Sequence, residues 1–179
     1  AFTVLVLVAI LIGGIVEIIP TVATTLQIPQ TAASDDPYLQ QPYSPLELEG
    51  RDIYIRDGCY VCHSQMIRPF RHAPLRYGDY SRIPEYIYDR PFQWGSKRTG
   101  PDLHRLGGKY ANLWHYLHMM DPRSTSPDSN MPVYTWLKDG KVDLDGTGHK
   151  LATLAKLGVP YSEAEIADAV RAERRITIT

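Results

Sequence analysis

The chain has 179 residues, an apolar fraction of 44% and a formal charge of −1, with 19 Lys and Arg against 20 Asp and Glu. That length allows one domain of ordinary size with an appendage, and the near-balance of charge gives no reason to expect a nucleic-acid partner. Glycine (13) and proline (14) are frequent enough to predict a loop-rich fold of short helices rather than a long bundle.

Residues 1–19 are apolar, with Glu17 as the one charge. At about 1.5 Å per residue they come close to the thickness of a hydrocarbon core, which predicts one transmembrane helix. The chain begins without Met, so the span is expected to extend further at that end. A signal peptide would need a basic start and a small-x-small cleavage site, and neither is present. No Lys or Arg precedes Arg51, whereas Asp35, Asp36, Glu47 and Glu49 follow the span, so the positive-inside rule sends the carboxy-terminal side outward. Glu17 reads as an interfacial carboxylate near the outer end. Pro20 is expected to stop the helix, giving an anchor over 1–20, a linker over 21–43 rich in Thr, Gln, Pro and Asp, and a domain over 44–179.

Order is predicted to resume at Ser44-Pro45-Leu46-Glu47, an N-cap with proline at the first helical position and glutamate three residues after the cap. Leu46, Gly50, Ile53 and Tyr54 then recur at helical spacing as far as Cys59-Tyr60-Val61-Cys62-His63. Two thiols three positions apart with a histidine directly after the second read as a c-type haem attachment site: the thiols add across two vinyl groups and the imidazole reaches the iron. A redox pair, a disulfide or half a zinc site are the competing readings. Cys59 and Cys62 are the only cysteines and no finger-spaced histidine pair follows, although the His115-x₂-His118 pair keeps zinc open. The flanks do not alternate as a thioredoxin-like βαβ unit does. Thioether attachment implies assembly outside the cytoplasm.

Residues 64–99 carry seven aromatics and six arginines against three acids, a composition suited to a contact surface. In Gly100-Pro101-Asp102-Leu103, a carbonyl near the turn is placed to accept the Nδ1 proton of His63; alone, the tetrapeptide is also a plain turn. Residues 113–120 read as a helix packing Met119 and Met120 in a core. Iron needs a second axial ligand. Met66 is tethered too closely to His63, whereas Met131 lies in a non-periodic loop bounded by Pro127 and Pro132; His115, His118 and His149 are the alternatives. His/Met ligation leaves no open iron position and favours electron transfer over a peroxidase-like reaction. A last helix is predicted from Ser162-Glu163-Ala164-Glu165, with Ile166, Ala169 and Val170 on one face and Arg171, Arg174 and Arg175 toward its end.

The order of C-x-x-C-H, Gly-Pro-x-Leu and a Met-Pro loop resembles class I cytochromes c, an all-α fold in which the first helix crosses the last behind the haem. Longer strings are more specific: Ser64-Gln65-Met66-Ile67-Arg68-Pro69, the run from Tyr88-Asp89-Arg90-Pro91-Phe92-Gln93-Trp94-Gly95 to Leu103, and Asp121-Pro122-Arg123-Ser124. Over nearly the whole chain these are similar to the mono-haem cytochrome c subunit, subunit II, of cbb3-type cytochrome c oxidases. The resemblance implies a class I cytochrome c-like domain with a long insertion, anchored by one helix in the bacterial inner membrane with the haem domain in the periplasm. It implies one covalent haem c held by Cys59 and Cys62, ligated by His63 and Met131 with Pro101 beside the histidine. It also implies electron transfer to a catalytic haem-copper subunit, with a di-haem cytochrome subunit as a further partner; this subunit itself is not the catalyst. Arg68, Trp94, Lys97 and Arg98 are expected on the inserted surface, facing haem propionates or the catalytic subunit, and Ser96 is a candidate contact for a calcium ion at that interface. A free-standing, membrane-tethered shuttle is the alternative, for which so large an insertion has no evident use.

Overall fold

A computed structural model describes residues 1–27, 37–89, 92–95, 97–142 and 146–172. Among them the chain is helical with no strand, and it divides into two units, residues 1–39 and 40–179. The first unit is helix α1, Phe2–Gln27. Its apolar part, Phe2–Pro20, is long enough to cross a membrane. Pro20 does not stop it. The ring removes one backbone donor and strains one turn, yet the helix continues to Gln27 with the proline inside.

The second unit begins its regular structure at α2, Pro45–Arg56. The Ser44 hydroxyl accepts from the Glu47 amide at 3.4 Å while the Glu47 carboxylate accepts from the Ser44 amide at 2.8 Å. This reciprocal cap satisfies two otherwise orphaned donors. The same device starts the last helix: Ser162 and Glu165 exchange bonds of 2.8 and 3.2 Å. Between them lie α3 (His72–Tyr77), α4 (Asn112–Met120), α5 (Pro122–Thr125) and α6 (Thr147–Lys156), followed by α7 (Glu163–Ala172). Three short 3₁₀ turns, Cys59–Val61, Ile83–Tyr86 and Thr135–Lys138, complete the frame.

Leu48 of α2, Leu151 of α6 and Ala169 of α7 form a buried cluster, with Tyr43, Leu154, Tyr161 and Ile166 packed around it. The first helix of this unit therefore meets the last two. Its inward stripe runs through Leu48, whereas Leu46 is about half exposed and Gly50 lies on the open side. Beside the apolar cluster, buried Thr147 donates to Glu49 at 2.6 Å, and Lys150 Nζ reaches Glu49 at 2.8 Å and Asp52 at 2.6 Å. Burial opposes the charge on Lys150, but Asp52 and Glu49 outweigh it and raise the ammonium above its ordinary value. On α7, Ile166 and Ala169 face the cluster as the pattern predicts; the side chains of Val170 and Arg171, and all of Arg174 and Arg175, lie outside the described residues.

Helix α4 forms as predicted, but Met119 and Met120 are only half-buried and no residue of the helix is fully enclosed. Tyr110, Trp114 and His118 instead stack along one side, with centroids 4.2 and 4.6 Å apart. Within the insertion Ile67, Ala73, Tyr86 and Ile87 are each buried, as are Asp89 and Gln93. Arg51 pairs with Asp89 at 3.1 Å and the Tyr43 hydroxyl donates to it at 2.8 Å, which ties the insertion to α2.

Candidate functional site

Helix α2 ends at Arg56, and Asp57 with Gly58 turns the chain into the short 3₁₀ turn that carries Cys59. Cys59 is half-buried, Cys62 is exposed, and no disulfide joins them. Burial, then Asp57, pushes the Cys59 thiol above its ordinary value, so it rests as a thiol rather than a thiolate.

His63 Nδ1 lies 2.8 Å from the Pro101 carbonyl oxygen. A carbonyl only accepts, so Nδ1 carries the proton and Nε2 keeps its lone pair for a metal. The ring rests directly on Gly100: a Cβ there would stand 2.3 Å from Cε1 and 2.6 Å from Nδ1. Glycine is required by that approach, not by its backbone angles. At Gly95 both reasons apply, since φ is +51° and a Cβ would press on the His63 carbonyl oxygen at 3.3 Å.

Every residue from Cys62 to Ile67 is held from outside the segment. The Gly100 amide donates to Cys62 O at 2.9 Å, Leu103 N to Ser64 O at 2.8 Å, Gln93 O accepts from Gln65 N at 3.2 Å, and Ser81 N donates to Ile67 O at 2.9 Å. Tyr86 donates its phenol proton to Gln65 O, and the fully buried Ser64 hydroxyl bonds Trp94 O. Arg98 reaches Met66 O at 2.9 Å and buried Asp102 at 2.7 Å. Sequence reasoning missed Ser64, Ser81, Tyr86 and Asp102. Partners 14 to 38 residues away leave no period to read; only the Gly-Pro turn carried a local signal.

Of the inserted residues assigned to the surface, only Lys97 is exposed. Trp94 stacks on Phe92 at 4.5 Å and its indole N–H is enclosed without a partner; Arg98 Nη1, Arg68 Nε and the Tyr54 hydroxyl are likewise buried and unpaired. Burial, then the neighbouring Cys59, pushes the Tyr54 phenol up to about 12. Tyr54 neighbours Cys59, while Trp94 and Arg98 flank the segment that follows the thiols; a buried group with acceptor oxygens would satisfy these donors, though Asp102 Oδ2 is an enclosed, unpaired acceptor among them. Ser96 and Arg90-Pro91 lie outside the described residues.

Met131 is half-buried, its amide held by Ser129 Oγ at 3.2 Å. The loop it starts returns to the thiols. Burial first, then Cys59 and Cys62, raises the Tyr134 phenol, while Trp136 Nε1 reaches Asp57 at 3.4 Å and Tyr134 N bonds Met119 O at 2.9 Å. His118 also belongs to this neighbourhood: burial, followed by His63 and His115, lowers its imidazole below the ordinary value, and its Nδ1 lies 2.6 Å from Thr125 Oγ1. His149 stands apart, on α6 beside Leu48 and Arg51. No cluster of His, Cys, Asp and Glu suited to a bare metal ion occurs among the described residues, so the His115/His118 pair gains no zinc-like companions.

The residues present fit a covalently held iron porphyrin: two thiols not joined to each other, an imidazole with one nitrogen oriented, and enclosed unpaired donors nearby. Over residues 1–177 the chain matches the family described as cytochrome c oxidase, mono-heme subunit/FixO. No curated protein matches it.

Proposed function

The chain belongs to the family of cytochrome c oxidase mono-heme subunits, and from that membership we propose that it relays electrons through one covalent haem c to the catalytic haem-copper subunit of a membrane oxidase. Bound haem supplies a one-electron carrier. In this reading Cys59 and Cys62 tether it through thioethers, and His63 Nε2 ligates the iron while the Pro101 carbonyl fixes the ring and increases its donor strength. Met131 would supply the other protein ligand to the iron, leaving no position for a substrate. Trp94 Nε1 and the Arg68 and Arg98 guanidiniums have enclosed N–H groups suited to propionate oxygens, arginine through its planar fork. Helix α1 anchors the subunit in the bacterial inner membrane with the haem domain in the periplasm; the catalytic subunit and a di-haem cytochrome subunit are its partners, with Ser96 a contact for calcium at the interface.

The observation that carries the assignment is the His63–Pro101 bond over Gly100, directly after the two thiols. The test is maturation in a host that attaches haem c. A polypeptide carrying haem that resists acidified acetone is expected; a colourless one, or one whose porphyrin extracts, ends the proposal. His118 as the second ligand is the other reading, favoured by its place near His63 and by Thr125, which takes its Nδ1 proton. A sulfur-to-iron absorption band decides between Met131 and His118.

A further inference from the structure

A chain of polar contacts runs from Arg105 and His104 into the insertion at Ser81. Arg105 Nη1 lies 3.1 Å from His104 Nε2. A guanidinium has no acceptor, so Nε2 accepts and the imidazole proton sits on Nδ1. That proton goes to Ser81 Oγ at 2.7 Å, which also accepts from the Ile67 amide at 2.8 Å. With both lone pairs used, the Ser81 proton is directed to the Tyr86 hydroxyl, and the Tyr86 proton to the Gln65 carbonyl. The chain starts at a partly exposed imidazole and ends two residues after His63.

Resting on the haem reading above, we propose that His104, Ser81 and Tyr86 are positioning residues for the haem-bearing segment, and that they couple proton uptake by His104 to electron uptake by the haem. A second proton on His104 would turn Nε2 into a donor facing the Arg105 guanidinium. The nearest acceptor is Glu85 Oε1, 3.7 Å away; it accepts from Arg105 at 2.5 Å and keeps a lone pair, so it can take that proton only if the ring turns toward it. The ring or the guanidinium must then move, loosening Ser81 and with it the hold on Gln65 and Ile67. The other groups felt at the ring are Asp89, itself paired with Arg51 and Tyr43, and the face of Tyr86 with its centroid 4.8 Å away. Burial, then Arg105, holds His104 below the ordinary imidazole value, so the coupling falls in the acid part of the titration. Reduction would lower the charge of the haem site by one and so favour the second proton on His104, which Nε2 would take from solvent as a fraction of one proton per electron; no other bond forms or breaks.

The test is a spectroelectrochemical titration of the full haem-loaded chain in detergent between about pH 5 and pH 8. The midpoint potential is expected to fall as pH rises through the acid part of that range and to level off above it. A tenfold difference in His104 proton affinity between the two oxidation states corresponds to a fall of about 59 mV. His104→Gln should flatten the curve while the haem stays attached, and Tyr86→Phe, which keeps the ring but removes the bond to Gln65, should reduce the slope. Ser81→Ala is the second cut in the same chain if either variant folds poorly, and it severs the hold on Ile67 as well. A flat wild-type curve, a slope that survives in His104→Gln, or one undiminished in Tyr86→Phe overturns the inference with covalent haem still in place. A chain that takes up no haem overturns the preceding reading and this one together.

Discussion

At Gly100 a single methyl group decides whether the His63 ring keeps its place. The Cβ of alanine would stand within 2.8 Å of three ring atoms, and neither the Pro101 bond nor the pinned segment 62–67 gives the ring room to retreat. Gly100→Ala is expected to reduce covalent haem incorporation severely, read by haem staining against total protein; wild-type incorporation would show that the ring is free to shift. Met131→Ala should abolish the sulfur-to-iron band while leaving the thioethers intact, and persistence of that band would remove Met131 from the iron. Legibility at this scale follows chemical rarity. Cys59, Cys62, His63 and the Gly-Pro turn announce themselves because few other uses need those types at that spacing. Ser81 and Tyr86 do not, because a hydroxyl bonded to backbone far along the chain looks like any surface residue until the chain is folded, and Asp102 with Arg98 four residues before it reads as an ordinary local ion pair.

Among the elements, α2 contributes most to the site, since it leads into the thiol turn and supplies Leu48 to the main core. Leu48→Ala removes a side chain that is 4% exposed between α6 and α7, and should cost about 2–5 kcal/mol in denaturant unfolding of the haem-loaded chain. Ser44→Ala removes one side of the reciprocal cap and should cost about 1 kcal/mol; equal effects of the two would argue that α2 is not held by its apolar face. The Ile83–Tyr86 turn carries a pH dependence of its own. Burial pushes the Glu85 carboxyl up, but bonds from Arg105 and the Arg82 amide outweigh it and hold it below its ordinary value. The stability this gives is complete above the unfolded carboxyl's value and is lost as pH falls through the lower folded one. Glu85→Gln should therefore lose less stability on acidification than the wild type, measured as melting temperature against pH. Helix starts were legible because a cap is a contract within four residues. The end of α1 was not: Pro20 weakens a helix locally, and the rest of the hydrogen-bond ladder carries it on to Gln27. The insertion was read by composition, which cannot show which of its side chains, such as Ile67, Tyr86 and Asp89, end up buried.

For the molecule as a whole, mild detergent is expected to release the chain together with a large haem-copper subunit; recovery as a lone monomer would favour the tethered shuttle, which the inward-packed insertion makes a sharper rival than composition suggested. The all-helical class and the apolar first helix were readable because both rest on long, periodic or uniformly apolar stretches. The closing partnership has one further implication. Leu48 finds its partners at Leu151 and Ala169, so the main core cannot form until more than a hundred further residues of the chain have been made. Until then α2 has no apolar partner from α6 or α7, and the turn bearing the two thiols follows a helix with no core to rest on.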